Sequence, residues 1–156
     1  MKVGILGDTH KNMRYIDEAI QYLKECDLIL HTGDNFIDSK YIYKMTGVQT
    51  LGVAGNCDFE DVEDEILFNI KGYNVYLCHG HKHYVNSGIE RIKQKAKDIG
   101  ANIVVFGHTH EYMNHTEDDI LFLNPASITS PRGGSKRGFI IMDIESESVK
   151  VNKIIL

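Results

Sequence analysis

Val104-Val105-Phe106-Gly107-His108-Thr109-His110 decides how the chain is read. An apolar run that reads as a buried strand ends in glycine and then presents imidazoles at i and i+2. In an extended backbone those two side chains leave on the same side and reach one small volume, which is a metal-ligand geometry. A surface His-x-His at the start of a loop has the same spacing. What separates the two readings is whether other strands bring ligands to the same edge.

Outward from that stretch, the chain keeps delivering polar residues at strand ends. Lys2 to Gly7 is a short apolar run closed by glycine, and Asp8 and His10 follow it. Asp27 to His31 is a second strand, ending in Thr32-Gly33-Asp34-Asn35. Val48 to Ala54 is a third, ending in Gly55-Asn56-Cys57-Asp58. Ile66 to Ile70 and Tyr73 to Cys78 flank Lys71-Gly72 as a hairpin whose second strand runs into His79-Gly80-His81. Asn102 to Phe106 is the strand of the opening stretch.

Between these strands the periodicity turns helical. Met13, Ile16, Ile20 and Leu23 recur at spacings of three and four, with Asn12 as N-cap and Asp17 and Glu18 near the helix start. A short helix is expected over Asp38 to Met45, stopped by Gly47. Ser87-Gly88-Ile89-Glu90 has the form of a capping box, and Ile89, Ile92, Ala96 and Ile99 line one face of the helix after it. Arg91, Lys93, Lys95 and Lys97 lie off that stripe as a solvated face. Beyond Phe106 only strands follow: Tyr112 to Thr116, Ile120 to Asn124, Phe139 to Ile144 and Val149 to Ile155.

Strand-helix alternation implies parallel pairing by crossovers, and a helix-rich first part is followed by an all-strand last part. Two packed sheets with helices outside at least one of them would bury both apolar sets in one domain, residues 1–156. Parallel strands bring their carboxyl ends to one edge, where ligands bind in open α/β sheets. That edge collects Asp8, His10, Asp34, Asn56, His79, His108 and His110. A glycine immediately precedes the first polar residue in four of the blocks (Gly7, Gly33, Gly55, Gly107) and follows His79 in the fifth, as a crowded strand edge requires.

Two carboxylates, four imidazoles and an amide, with no thiolate, suit divalent manganese, iron, nickel, cobalt or zinc. Seven side chains exceed what one ion with an open position needs. Two ions bridged by a carboxylate are the natural alternative, with Asp34 the best-placed bridge. Such a pair would make the site cationic within a chain of net charge −5, and so attractive to phosphate.

In order, spacing and glycine context, Asp8-x-His10, Gly33-Asp34, Gly55-Asn56, His79 and Gly107-His108-x-His110 resemble the calcineurin-like metallophosphoesterases, in particular their small bacterial and archaeal phosphodiesterase branch. The resemblance implies an α/β fold, a four-layer α-β-β-α sandwich of two mixed sheets flanked by helices. It implies Asp8, His10, Asp34 and His110 on one divalent ion and Asp34, Asn56, His79 and His108 on the other, manganese foremost. It further implies hydrolysis of a small phosphoester, a phosphodiesterase activity, by attack of a metal-bridging hydroxide on phosphorus. Asp34 and Asn56 then belong to the catalytic set. A protein-interaction scaffold on the same fold, as in the family's eukaryotic trafficking branch, and a metal-dependent nuclease are the alternative readings.

Some residues stand at the edge of this pattern. Cys57 falls where larger relatives carry a histidine that assists the leaving group; it either borders the substrate or is a small packed residue. His81 either faces the same pocket, contacting phosphate or donating a proton, or is a solvent-facing imidazole. His31, His83 and His115 read as structural or exposed, and Asp58 as either a carboxylate orienting a ligand or a turn residue. Asn124-Pro125-Ala126-Ser127 resembles the family's Asn-Pro-Gly-Ser loop with alanine for glycine, a strained choice if φ is positive there. Arg132, in the basic, glycine-rich segment Ser130 to Arg137, either binds substrate phosphate or lies on a surface turn.

Composition narrows the setting. At 156 residues with 42% hydrophobic and 25% charged content, the chain suits a soluble globular domain. Cys26, Cys57 and Cys78 are odd in number and form no CxxC pair, so free thiols in a reducing compartment are expected. Met1-Lys2-Val3 runs straight into a strand pattern and no apolar run approaches a bilayer span, so a cytoplasmic location is expected, with no membrane partner. The acidic balance speaks against a broad nucleic-acid surface, and a homo-oligomer is compatible with the sequence.

Overall fold

The computed structural model describes residues 1–156. Two five-stranded sheets carry the chain. The first has the order β10(Val149–Ile155), β9(Gly138–Ile144), β1(Lys2–Leu6), β2(Leu28–His31), β3(Thr50–Gly52). Its three central and edge strands β1, β2 and β3 are parallel, and β9 and β10 join antiparallel. The second has the order β4(Glu65–Ile70), β5(Tyr73–Cys78), β6(Ile103–Val105), β8(Ile120–Pro125), β7(Tyr112–Glu117), with β5, β6 and β8 parallel.

Strand alternation distributes the apolar residues over three cores. Val3 and Ile5, Leu28 and Leu30, Val75 and Leu77, and Ile103 and Val105 point between the sheets and pack as one cluster. Their neighbours point outward. On the first sheet, Leu6, Ile29, Phe139 and Ile141 meet α1(Met13–Leu23) and α2(Ile37–Thr46). On the second, Tyr76, Val104, Phe106 and Phe122 meet α3(Glu90–Ile99). The result is the expected four-layer α-β-β-α sandwich. Burying each such Ile, Leu or Val contributes roughly 1.5–3 kcal/mol, so all three interfaces matter to stability.

Several local expectations are corrected. Asn12 stands at the N-cap position of α1 but its side chain makes no capping bond, and no acidic residue falls in the first turn. Met13 is exposed rather than on the buried stripe, which is Ile16, Ala19, Ile20 and Leu23. The capping box before α3 does not form. Ser87 instead closes a 3-10 turn, Val85–Ser87, in which its N–H donates to the Tyr84 carbonyl, and Ile89 takes the N-cap position. The third strand contracts to Thr50–Gly52; Val53 N still bonds to the His31 carbonyl, but Ala54 N turns to the Glu63 carbonyl outside the sheet. Gly47 ends α2 in a left-handed conformation (φ 71°), as expected of a helix stop. No helix is long and apolar enough to cross a membrane.

Candidate metal centre

Parallel β1, β2 and β3 and parallel β5 and β6 deliver their carboxyl ends to one rim, where the seven side chains meet. Glycine is needed there for contact. A Cβ on Gly107 would stand 2.8 Å from Asp8 Oδ2, and one on Gly55 would fall within the Asp34 carboxylate. Five of the seven side chains also sit on left-handed backbone: Asp8 (φ 49°), His10 (46°), Asp34 (54°), His108 (67°) and His110 (61°). Such a conformation costs an L-residue about 1–2 kcal/mol and persists only where the surroundings impose it.

The ligating atoms of Asp8, His10, Asp34 and His110 all lie within 4.8 Å of one another. His110 Nδ1 donates to the Ser130 carbonyl at 2.8 Å, which turns the Nε2 lone pair toward Asp8 Oδ1, 3.1 Å away, and His10 Nε2, 3.4 Å away. Asp8 Oδ1 is buried without a hydrogen-bond donor. Acceptors face acceptors across this gap, which therefore calls for a cation. Burial alone would lower the pKa of His110, but the Asp8 carboxylate and the Ser130 carbonyl outweigh it and raise it. A proton or a metal ion is drawn to the same gap.

A second group adjoins the first through Asp34. His79 Nδ1 donates to the Thr32 carbonyl at 2.7 Å, leaving its Nε2 lone pair 3.4 Å from Asp34 Oδ1, 3.1 Å from Asn56 Oδ1 and 3.2 Å from His108 Nδ1. The Asn86 amide lies 3.0 Å from His108 Nε2, where either end of the amide can satisfy the ring, so Nδ1 is free to present a lone pair. Ligands bonded at roughly 2.1 Å to one ion at tetrahedral or octahedral angles stand about 3.0–3.4 Å apart. The separations of 3.1–3.4 Å found in both groups match that spacing, so the donor set fits divalent ions. Burial would raise the pKa of Asp34, but His79 and the Cys57 N–H outweigh it, and the carboxylate stays ionised. Burial and the neighbouring His79 lower that of His108, which keeps the ring a neutral donor.

The residues at the edge of the pattern divide. His81 opens a 3-10 turn (His81–His83), lies with its ring tilted 5.3 Å from the His79 ring and 6.1 Å from that of His108, and keeps a buried Nδ1 without a partner. Burial, His79 and His108 hold its pKa down. Cys57 is exposed; its backbone N–H donates to Asp34 Oδ1 at 3.0 Å, and its thiol is 3.5 Å from the Asn56 amide nitrogen. Arg132 has an exposed side chain, and its N–H donates to the His110 carbonyl at 2.9 Å. Asp58 orients a ligand loop: it accepts from Phe36 N at 2.8 Å and Gly55 N at 2.7 Å, tying the Asp34 loop to the Asn56 loop. Ala126 has φ 65°, so the Asn124 to Ser127 loop keeps its shape with alanine strained in it.

Sequence reading missed the braces behind these ligands. Asp38 is buried at the start of α2, where Thr9 Oγ1 donates to it at 2.6 Å and Lys11 N at 3.0 Å, so the residues on either side of His10 are fixed. Ser127 Oγ donates to the Asp8 carbonyl at 2.7 Å, and Asn124 Nδ2 donates to the Gly107 carbonyl at 2.8 Å. The buried His31 accepts from Gly33 N through Nδ1 at 3.2 Å. Nothing in the sequence sets Asp38 apart from an ordinary acidic residue at a helix start.

The profile of the calcineurin-like phosphoesterase superfamily domain matches residues 1–147. The probable metallophosphoesterase YsnB of Bacillus subtilis is 28% identical over 97% of this chain and 89% of its own length. The phosphodiesterase MJ0936 of Methanocaldococcus jannaschii is 26% identical over 80% of this chain and 82% of its own length. Among solved structures, an archaeal phosphodiesterase superposes with a TM-score of 0.80 at 24% identity, over 99% of this chain and all of that one. Vps29 of Entamoeba histolytica, solved with zinc, superposes with a TM-score of 0.79 at 19% identity over 99% of this chain and 98% of that one. The ligand edge, the four layers and the match over nearly the whole length agree: the chain belongs to the calcineurin-like phosphoesterase superfamily.

Proposed function

We propose that the chain is a divalent-metal-dependent phosphodiesterase acting on a small phosphoester. The observation that carries the reading is the pair of acceptor-only groups sharing Asp34, each spaced for one ion. Asp8, His10, Asp34 and His110 would hold one, and Asp34, Asn56, His79 and His108 the other. When bound, two such ions supply Lewis acidity toward phosphoryl oxygens and bring the pKa of a water near neutrality. Manganese is the foremost candidate, with nickel, iron, cobalt and zinc as further ones, all of them compatible with an N/O donor set.

The chain's own groups have separate tasks. Asp34 sets the spacing of the two groups, and Cys57 N–H fixes its carboxylate. Asn56 presents Oδ1 because its amide nitrogen is turned to Cys57. His81, beside both His79 and His108, is the candidate to contact the phosphoryl group or hand a proton to the leaving oxygen. The Cys57 thiol has no cationic form, and partial desolvation and the neighbouring Asp34 raise its pKa, so it is no substitute donor. Good leaving groups and diesters follow as the favoured substrates. The Arg132 guanidinium, on the loop bonded to His110, is a candidate phosphate contact.

A protein-interaction scaffold is the alternative reading; the likeness to Vps29, at 19% identity, bears on the fold alone. Assay of the purified chain with manganese and bis(p-nitrophenyl) phosphate separates the two. Metal-dependent release of nitrophenol supports the hydrolase; silence with every divalent ion would turn the reading toward the scaffold.

A further inference from the structure

Around the far side of the Ser130–Arg137 segment lies a cavity of about 330 Å³, lined by Tyr112, Gly133, Gly134, Ser135, Lys136, Lys153 and Ile155. No acidic residue lines it, in a chain of net charge −5. The carboxylate of Glu111, just before β7, lies against the lining residue Gly133 at the edge of the cavity. The lysine ion pairs of the chain use Lys82, Lys93, Lys95 and Lys97, so neither Lys136 nor Lys153 has a carboxylate partner.

Lys153 is the unusual group. It projects inward from the edge strand β10, donates to the Pro125 carbonyl and stands 5.0 Å from the Tyr112 ring centroid. An ammonium carries three donors, and one carbonyl with one aromatic face leaves part of that capacity unused. Burial with nothing negative nearby pulls its pKa down to about 8. The remaining polar lining also donates. Gly133 and Gly134 are consecutive left-handed residues (φ 57° and 75°) whose N–H groups make no bond within the chain. Ser135 Oγ accepts from Tyr112 N at 2.8 Å, which leaves its O–H to point elsewhere. Two ammonium groups, two amides with no partner in the chain and a hydroxyl therefore line one cavity, with the Glu111 carboxylate at its edge beside Gly133.

We propose that this cavity binds a phosphate dianion, either inorganic phosphate or the phosphate end of a phosphomonoester, separately from the metal centre. Its volume is several times the ~30 Å³ share of a water molecule, enough for phosphate with a small organic group against Tyr112. Lys153 would supply the buried charge, Lys136 a flexible second one, and the glycine amides the fixed donors. The segment is also wired to the metal centre: Ser135 N donates to Arg132 O, Arg132 N to His110 O, and His110 Nδ1 to Ser130 O.

The test is an amide-shift titration of ¹⁵N-labelled protein with inorganic phosphate and, separately, phenyl phosphate. It is run on the wild type and on Asp34→Asn, which silences phosphate binding at the metal centre. Saturable shifts at Gly133, Gly134 and Ser135 in both proteins are expected. Lys153→Met should weaken them at least tenfold, and Lys153→Arg, which keeps charge and fold, less than about threefold. Tighter phenyl phosphate would assign the monoester, and equal affinities inorganic phosphate. The proposal is overturned if those amides do not move, if Lys153→Met titrates as wild type, or if the shifts vanish in Asp34→Asn. Turnover retained by Asp34→Asn would refute the hydrolase reading and leave these shifts unaffected.

Discussion

The two ligand groups differ in how they are held. Asp8, His10, Asp34 and His110 are mostly buried, all four stand on left-handed backbone, and Asp38, Ser127 and Ser130 lock the residues around them. In the other group His79 is buried at the end of β5, but Asn56 is exposed and His108 half-buried. A braced, desolvated site holds an ion in fixed geometry and exchanges it slowly, whereas an open one lets water and substrate in. The buried group should therefore retain its ion, and the open group should exchange one and meet the substrate.

Asp34 belongs to both groups, so its loss should produce the largest effect. Asp34→Asn removes the shared charge, and turnover of bis(p-nitrophenyl) phosphate should fall by on the order of a thousandfold or more. Metal analysis should find both positions depleted. Depletion of only one would show that the groups are independent and end the shared-carboxylate picture.

Asn56→Ala cuts only the open group. Metal content should drop from two ions to one per chain, with turnover down about a hundredfold and the buried ion unaffected. Loss of both ions together would contradict the difference in bracing. Asp38→Ala is the opposite cut. It touches no ion but frees Thr9 Oγ1 and Lys11 N, and should weaken metal at the buried group roughly 10–100-fold while leaving the open group nearly as it was. Calorimetric titration of each variant with manganese reads both outcomes.

His31 lies beneath the braced group, and burial holds its pKa down at about 4. A histidine whose folded pKa is depressed contributes full stability above its unfolded value, near 6.5, and loses it as pH falls toward the folded value. At pH 5 the loss should be about 2 kcal/mol relative to pH 7. His31→Asn, which keeps an acceptor for Gly33 N, should flatten that part of the pH dependence of thermal unfolding. An unchanged slope would place the acid sensitivity elsewhere.

The two groups also differ in how legible they were. The ligands stood out because each is a polar residue at the end of an apolar run beside a glycine, and parallel topology sends those ends to one rim. The bracing did not, because it consists of contacts between loops remote in sequence: Thr9 to Asp38, Asp8 to Ser127, Phe36 to Asp58. The left-handed backbone at five ligands was equally hidden, since none of the five is a glycine. Local rules failed where tertiary packing prevailed. Ser87 was drawn into a 3-10 turn with Tyr84 instead of capping α3, and the third strand was cut short where Ala54 N leaves the sheet for the Glu63 carbonyl.

Ala126 offers the smallest effect and the finest test of the comparison. Its φ of 65° places a buried methyl group in the left-handed region, on the loop whose Asn124 holds the Gly107 carbonyl and whose Ser127 holds the carbonyl of Asp8. Ala126→Gly removes the strain but adds freedom to the unfolded chain and deletes a buried methyl, so the terms oppose each other. Strain of about 1–2 kcal/mol against an entropy term of about 0.4–1 and a lost methyl of about 0.8 leaves a net change of under about 1 kcal/mol. For a domain of this size that keeps Tm within a few degrees of the wild type. Because the loop bonds survive the change, turnover and metal content should stay at the wild-type level. Unchanged turnover would show that the braces hold the buried ligands whether or not the loop itself is strained. Altered turnover would show that the alanine sets the ligand positions through its strain, and that the bracing includes the backbone of this loop as well as its side chains.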